Sequence, residues 1–165
     1  MSRKKRIMIS ACLLGICCRY DGKASRSPAL LNFINYYNFI PFCPEQMGGL
    51  PTPRIPAEMK NGDGYDVLTG SARLINDLGE DVTDAFVKGA CEALKLHRIS
   101  WAEAVILKDR SPSCGVLTPY CEKKGGMGIG VTAALFKLNG IDIFELGPND
   151  PFPNQLPCLD RHNKK

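Results

Sequence analysis

The 165-residue chain lacks any apolar run near the ~20 residues that a membrane-spanning helix requires. Its N-terminus also lacks a secretory signal. The apolar segment between the basic residues 3–6 and Cys12 is shorter than the ~7 residues of a signal peptide's hydrophobic region. These absences argue against a membrane protein and against export. We therefore expect a cytoplasmic protein without a membrane partner.

A basic surface suited to nucleic acid is also lacking. The net charge is +4, but seven of the 21 basic residues lie near the ends of the chain: Arg3, Lys4, Lys5, Arg6, Arg161, Lys164 and Lys165. Without them, 14 basic residues stand against 17 acidic ones, so the body of the chain is mildly acidic. The sequence thus predicts no nucleic-acid partner, and it is compatible with either a monomer or a dimer.

Paired-cysteine motifs are missing although the chain has eight cysteines. No C-x2-C pair occurs, which argues against a zinc ribbon. Disulfides are rare in the reducing cytoplasm, so clustered thiols there indicate a metal site before a disulfide framework. The cysteines are therefore the feature of this sequence that most needs a chemical explanation.

Four short apolar runs have the continuous character of parallel strands that are covered on both faces. They are residues 6–11, 39–43, 103–108 and 141–146. Helical patterns separate these runs and lie at 28–37, from Asp81 or Thr83 to about Ile99, and at 129–138. The alternation predicts an α/β fold with a Rossmann-like, open, mainly parallel sheet and helices on both faces.

Two further segments complete the expected fold. Residues 65–77 have the pattern of a small β-hairpin that turns near Gly70. The proline-rich C-terminal tail, residues 147–165, is expected to pack loosely along the surface. At 165 residues the chain fits one domain, residues 1–165, with a core from about 6 to 146.

Three cysteines follow predicted strands and are expected at one edge of the sheet. Cys12 ends the first strand, Cys43 ends the second, and Cys114 lies six residues past the third. In open α/β sheets ligands bind beyond the carboxyl ends of the strands, which is where these thiols fall. The adjacent pair Cys17–Cys18 has poor geometry for two ligands to one metal. The others lie on a polar helix face, in a loop and in the tail: Cys91, Cys121 and Cys158.

Two interpretations of Cys12, Cys43 and Cys114 are open. Free cysteines are often small buried hydrophobic residues, but the loops around these three are unusually stiff. Residues 43–58 contain four prolines, and the prolyl segment 110–115 constrains the backbone beside Cys114 in a similar way. A metal centre requires such preorganised ligands. Three soft thiolates suit a cubane iron–sulfur cluster whose fourth iron has no protein ligand.

Two other features could border such a site. The glycine-rich segment "GGMGIGV" (125–131) precedes a helix but lacks the strand that a dinucleotide-binding motif needs. We expect a tight turn whose helix N-terminus faces the site and favours an anion there. For Arg54 two placements are equally compatible with the sequence, namely contact with a substrate or an exposed position on the surface.

The motifs around these residues resemble a known family. Long catalogued as a domain of unknown function, this family includes the thiouracil desulfidases. The similarity lies in "SACLLG" (10–15), "FCPEQMGGLPTPR" (42–54), "ILKDRSPSCG" (106–115) and "GMGIGVTAAL" (126–135). It extends from about residue 6 to 146. The resemblance implies a [4Fe-4S] cluster held by three cysteines, here Cys12, Cys43 and Cys114. One open iron would bind the sulfur of a small-molecule thiolated pyrimidine.

The resemblance also implies catalytic residues, since Glu45 and Ser111 correspond to the family's proposed acid–base residues. The pair Cys17–Cys18 departs from the usual sequence of the family. The implied reaction converts a thiocarbonyl such as that of 2-thiouracil, with water, into a carbonyl and hydrogen sulfide, without redox change. Two alternatives stay open: a sulfur-transfer enzyme that carries out thiolation, and a non-catalytic iron–sulfur or metal-binding accessory protein.

Overall fold

A computed structural model describes residues 3–156 of the chain. In chain order the strands are β1 (Lys5–Ser10), β2 (Tyr37–Phe42), β3 (Ala57–Lys60), β4 (Arg73–Asn76), β5 (Ala104–Lys108) and β6 (Ile143–Leu146). The α-helices are α1 (Pro44–Met47), α2 (Gly64–Leu68), α3 (Thr83–Ser100) and α4 (Val131–Leu138). Two 3-10 turns cover Ala11–Leu14 and Pro28–Asn32. No helix within residues 3–156 is long and apolar enough to cross a membrane.

Four of the strands form one parallel sheet in the order β2–β1–β5–β6. Ile7, Met8 and Ile9 of β1 are fully buried. Successive side chains of a strand point to opposite faces, so this continuous apolar run shows that both faces of the sheet are covered. The predicted α/β class with a mainly parallel sheet is confirmed.

The two faces of the sheet are covered by different kinds of structure. On one face Met8 and Val105 belong to a core with α3 and α4 that includes Ala93 and Phe136. On the other face the sheet packs against the two 3-10 turns and residues 152–156. Regular α-helices thus lie on one side, and short helical turns with an extended segment complete the other.

Residues 28–37 do not form the helix that their Ser27–Pro28 start predicts. A 3-10 turn occupies only Pro28–Asn32. Strand β2 begins at Tyr37, which is buried and pairs with Lys5 of β1. Aromatic side chains suit the surface of a pleated sheet, and here pairing with β1 overrides the local helix signal.

A small antiparallel pair of strands is present, but residues 65–77 do not form it alone. Strand β3 pairs with β4, and residues 65–68, expected in a strand, belong to α2. The Asp63 carboxylate accepts a hydrogen bond from the Tyr65 N–H at 3.1 Å, and the Asp66 carboxylate accepts one from the Asp63 N–H at 2.9 Å. This reciprocal capping satisfies N–H groups that the first helical turn leaves unpaired.

The described part of the proline-rich tail is packed into the core. Phe152 stacks on Phe33 with ring centroids 3.9 Å apart, and both Phe152 and Leu156 are buried. The prediction of a loosely packed tail is therefore wrong for these residues, because burial of their two apolar side chains stabilises a packed arrangement in spite of the proline between them. Cys158, which was placed in the tail, lies outside the described residues.

Helix α1, which carries Glu45, lies directly against α3 at two glycines. A Cβ atom on Gly48 would be 1.9 Å from the carbonyl oxygen of Ala85, and one on Gly89 would be 1.9 Å from that of Pro44. The opposing atoms belong to the backbone and have no rotamer through which to move away. The contact therefore requires glycine at both positions and fixes α1 relative to the core.

Gly89→Ala tests this contact, because helix propensity predicts an increase in the free energy of unfolding, whereas packing predicts a decrease. Alanine inside a helix is favoured over glycine by about 1 kcal/mol, whereas overpacking destabilises by about 1–3 kcal/mol. We expect the free energy of unfolding, measured by urea denaturation, to fall. Lys88→Ala, at an exposed position of the same helix, should change it by less than about 0.5 kcal/mol. A more stable Gly89→Ala protein would contradict the contact.

Candidate metal centre

Cys12, Cys43 and Cys114 line one cavity of about 310 Å³ at the carboxyl edge of the sheet. Cys12 lies in the 3-10 turn after β1, Cys43 directly after β2, and Cys114 in the loop that follows β5. These strands are neighbours and run parallel, so the segments that leave them meet at one edge. The structure brings the three cysteines singled out from the sequence together.

A fourth cysteine, Cys18, lines the same cavity and is 2 % exposed. Its carbonyl oxygen accepts a hydrogen bond from the Cys43 thiol at 3.7 Å. The side chains of Cys12 and Cys43 both affect the pKa of its thiol. The adjacent Cys17 is exposed. Two neighbouring cysteines seldom reach one metal together, which argued against the pair, but one of them can face the site while the other faces solvent.

Burial and hydrogen bonding raise the pKa values of the Cys18, Cys43 and Cys114 thiols above the ordinary value of cysteine. The hydrogen bond with Cys12 is the main cause that raises the pKa of Cys18 to about 11. A hydrogen bond with Cys18, together with burial, raises the pKa of Cys43. Burial raises the pKa of Cys114 to about 12, although the Ser10 hydroxyl opposes it. Ligation by these thiolates therefore requires a metal whose bonds replace the protons.

Ser111 shapes the loop that carries Cys114. Its hydroxyl oxygen accepts hydrogen bonds from the backbone N–H groups of Ser113 and Cys114, each at 3.1 Å. The turn closes with a 2.8 Å hydrogen bond from the Gly115 N–H to the Ser111 carbonyl. Ser111 also lines the cavity. Because its oxygen accepts bonds within the loop, its proton is the part that it can donate to a ligand.

The glycine-rich segment before α4 supports the same loop. The N–H groups of Val131 and Thr132 donate to the carbonyls of Pro112 and Ser113, at 3.0 and 2.9 Å. A Cβ atom on Gly130 would be 2.5 Å from the Ser113 carbonyl oxygen, so glycine is required for this approach. The expectation that this helix N-terminus favours an anion in the site is wrong, because the loop carbonyls already accept its hydrogen bonds.

Glu45 lines the cavity and forms a buried ion pair with Arg54. The Nη2 atom of Arg54 donates to Oε2 of Glu45, and the two side chains are 7 % and 11 % exposed, respectively. The Nη1 atom of Arg54 donates to the Cys18 carbonyl at 3.1 Å. The exposed placement considered for Arg54 is therefore wrong. A tertiary ion pair of this kind has no local pattern in the sequence that could have identified it.

The remaining wall of the cavity is mostly apolar and aromatic. Its side chains include Tyr20, Phe42, Ile55, Phe86 and Tyr120. The volume lies at the lower end of the ~300–1,000 Å³ found for small-molecule pockets. Such a wall beside clustered thiols suits a small, flat, weakly polar ring.

The donor set fits an iron–sulfur cluster better than a single ion. Within residues 3–156, no three Cys, His, Asp or Glu side chains converge closely enough to hold one metal ion. The thiols of Cys12, Cys18, Cys43 and Cys114 line one cavity instead. In a cubane cluster each thiolate binds a different iron, so its ligands need not converge on a single ion. Soft sulfur donors are also the ones that iron–sulfur clusters prefer.

The fold and the site together define an α/β protein with a thiol-lined cleft at the carboxyl edge of its sheet. The chain belongs to the 2-thiouracil desulfurase family, whose model matches residues 7–146. The family predicted from the motifs is thereby confirmed.

Two relatives illustrate this membership. The chain is 43 % identical over 137 residues to the uncharacterized protein YbbK of Bacillus subtilis (strain 168), a match that covers 81 % of this chain and 91 % of YbbK. It is also similar to the solved structure of the [4Fe-4S]-dependent thiouracil desulfidase TudS, with a TM-score of 0.71 and 37 % identity. That likeness covers 86 % of this chain and 91 % of the other.

Arg54→Met tests the buried ion pair, since it removes the cation and keeps the length of the side chain. Removal of one partner of a buried pair destabilises by about 3–5 kcal/mol. We expect a loss of that order in the unfolding free energy from denaturant titration.

Arg73→Met is the matched control for this variant. Arg73 pairs with Asp81 at the surface, where 58 % of its side chain is exposed, and surface pairs contribute at most about 1 kcal/mol. Equal losses for the two variants would show that the Glu45–Arg54 pair does not stabilise the fold.

Proposed function

We propose that this protein is a cytoplasmic, [4Fe-4S]-dependent desulfidase that removes sulfur from a small thiolated nucleobase such as 2-thiouracil. The proposal depends above all on the placement of Cys12, Cys43 and Cys114 around one cavity with the carboxylate of Glu45. Membership of the 2-thiouracil desulfurase family supports it. So does the similar structure of TudS, which is a [4Fe-4S]-dependent thiouracil desulfidase.

Cys12, Cys43 and Cys114 are the proposed cluster ligands, and together they leave one iron without a thiolate. When bound, such a cluster supplies a Lewis acid that polarises a thiocarbonyl bond and accepts its sulfur. The net reaction is thiocarbonyl plus water to carbonyl plus hydrogen sulfide, and it transfers no electrons. The protein must therefore bind the ring, direct a water molecule to the carbon and move protons.

Glu45 is suited to accept the proton of the attacking water. A general base must lie within hydrogen-bond reach of the proton that it takes, and Glu45 lines the cavity two residues after Cys43. Arg54 binds Oε2 of the carboxylate, which leaves Oε1 as the acceptor for water. By fixing one oxygen, the ion pair sets the direction from which the water approaches.

Ser111 is suited to hold or protonate the substrate. Its oxygen accepts two backbone hydrogen bonds, so its proton points away from the loop and can be donated. A neutral thiolated pyrimidine such as 2-thiouracil offers its carbonyl oxygen and its thiocarbonyl sulfur as acceptors, whereas its ring N–H groups are donors. Its flat faces suit the aromatic side chains of Tyr20, Phe42 and Tyr120 that line the cavity.

The two other functions have less support. Thiolation of RNA requires activation of the nucleotide, but the glycine-rich segment that could bind phosphate contacts the loop of Cys114 instead. A non-catalytic accessory protein would need the thiols but not Glu45. A variant of Glu45 therefore separates an accessory protein from an enzyme.

Anaerobically purified protein should contain one [4Fe-4S] cluster per chain, measured as iron and acid-labile sulfide, and should release hydrogen sulfide from 2-thiouracil. In water enriched in ¹⁸O the uracil formed should carry the label, because its new carbonyl oxygen comes from water. Cluster-loaded protein that releases no sulfide from 2-thiouracil or 4-thiouracil would contradict the proposal and favour an accessory role.

Glu45→Gln keeps the size of the side chain but removes the proton acceptor. General bases contribute about 10²–10⁴-fold to rates, so we expect kcat for sulfide release to fall within that range while iron content and cluster absorbance stay unchanged. Glu58→Gln is the control, since Glu58 lies on β3 and pairs with Lys60. Full activity of Glu45→Gln would remove Glu45 from the mechanism.

A further inference from the structure

Cys18 is a buried nucleophilic group that the proposed reaction does not use. It is 2 % exposed and lines the cavity. The Cys43 thiol donates a hydrogen bond to the Cys18 carbonyl at 3.7 Å, so Cys18 lies directly beside one of the proposed ligands. A thiol that lines the same cavity as the three proposed ligands is within reach of the group that they hold.

The backbone fixes Cys18 at the cavity wall. Its carbonyl accepts hydrogen bonds from Nη1 of Arg54 at 3.1 Å and from the Cys43 thiol at 3.7 Å. Its N–H donates to the Ile16 carbonyl at 2.9 Å. Cys17, one residue earlier, is exposed. The two adjacent thiols thus have opposite environments, and Cys18 is the one placed for chemistry in the cavity.

We propose that Cys18 is a fourth thiolate ligand, which binds the iron left open by the other three cysteines until a substrate displaces it. The inference rests on the proposed function, because it concerns the same cluster. The thiol releases its proton as the sulfur–iron bond forms, and the thiolate takes a proton back when the thiocarbonyl sulfur replaces it. No electrons are transferred. Four cysteine thiolates are the common ligand set of a [4Fe-4S] cluster.

A fourth thiolate protects the cluster and competes with the substrate. An iron without a protein ligand is the one that a cubane cluster loses on oxidation, which leaves a [3Fe-4S] cluster. Ligation by Cys18 slows this loss. It also weakens apparent binding of a thiolated pyrimidine, because only the molecules in which Cys18 has left the iron can bind it.

Cys18→Ala tests the proposal in the full, anaerobically loaded chain, with Cys17→Ala as the matched control. During oxidation by ferricyanide, the electron paramagnetic resonance signal of [3Fe-4S] should form faster in Cys18→Ala than in the wild type. If Cys18 occupies the iron about nine-tenths of the time, the rate should rise and the Kd for 2-thiouracil should fall, each about tenfold. Cys17→Ala should match the wild type. Equal rates of iron loss in the wild type and Cys18→Ala would overturn the proposal.

Mössbauer spectroscopy of the ⁵⁷Fe-loaded wild type gives an answer that needs no variant, even if Cys18→Ala assembles no cluster. With Cys18 bound, every iron has sulfur-only ligation, and no distinct iron site is expected before 2-thiouracil is added. A distinct site that accounts for one iron in every cluster of the substrate-free wild type would overturn the proposal.

These outcomes separate the inference from the proposed function. Protein that binds no cluster, or that binds one but releases no sulfide in any variant, contradicts the proposed function itself. Protein that releases sulfide from 2-thiouracil, but has a distinct iron site and equal oxidation rates in the wild type and Cys18→Ala, keeps the function. In that case only the assignment of Cys18 as a fourth ligand is wrong.

Discussion

The parallel pairing of β2, β1 and β5 is the constraint on which the rest of the structure depends. Strands β1 and β2 pair in register from Lys5 and Tyr37 to Ser10 and Phe42, so both end at the same level. The Ser10 hydroxyl then accepts a hydrogen bond from the Lys108 N–H at 2.9 Å, which ties the end of β5 to them. Thiols that are far apart in the chain therefore meet at one edge.

Close contacts between backbones make that edge a rigid site. Helix α1 meets α3 where neither Gly48 nor Gly89 has space for a Cβ atom, and Gly130 allows α4 to reach the loop of Cys114. Both α3 and α4 also pack against the sheet. The segments that carry the proposed ligands are thus held by the elements that form the core, which supplies the preorganisation that metal ligands need.

The sheet edge and three of the four cavity thiols could be predicted from the sequence, because continuous apolar runs identify buried parallel strands. Cys18 could not, since the direction of a side chain in a loop has no periodic signal. The predictions of a helix at 28–37 and of a hairpin at 65–77 were wrong for a related reason, namely that they were based on local sequence signals alone. Pairing of Tyr37 with β1 and capping of α2 by Asp63 outweigh local start and turn signals.

Arg54 joins the two groups whose positions matter most for the proposed chemistry. One nitrogen of its guanidinium binds the Glu45 carboxylate and the other binds the Cys18 carbonyl. Arg54 lines the same cavity as the four cysteines, and a buried cation offsets the negative charge that thiolate ligation brings. The guanidinium is planar and rigid, so it holds the Glu45 carboxylate and the Cys18 backbone in fixed positions relative to each other. In the proposed scheme the same cation therefore orients the general base and anchors the backbone of Cys18, and only the Cys18 side chain moves when a substrate displaces its thiol.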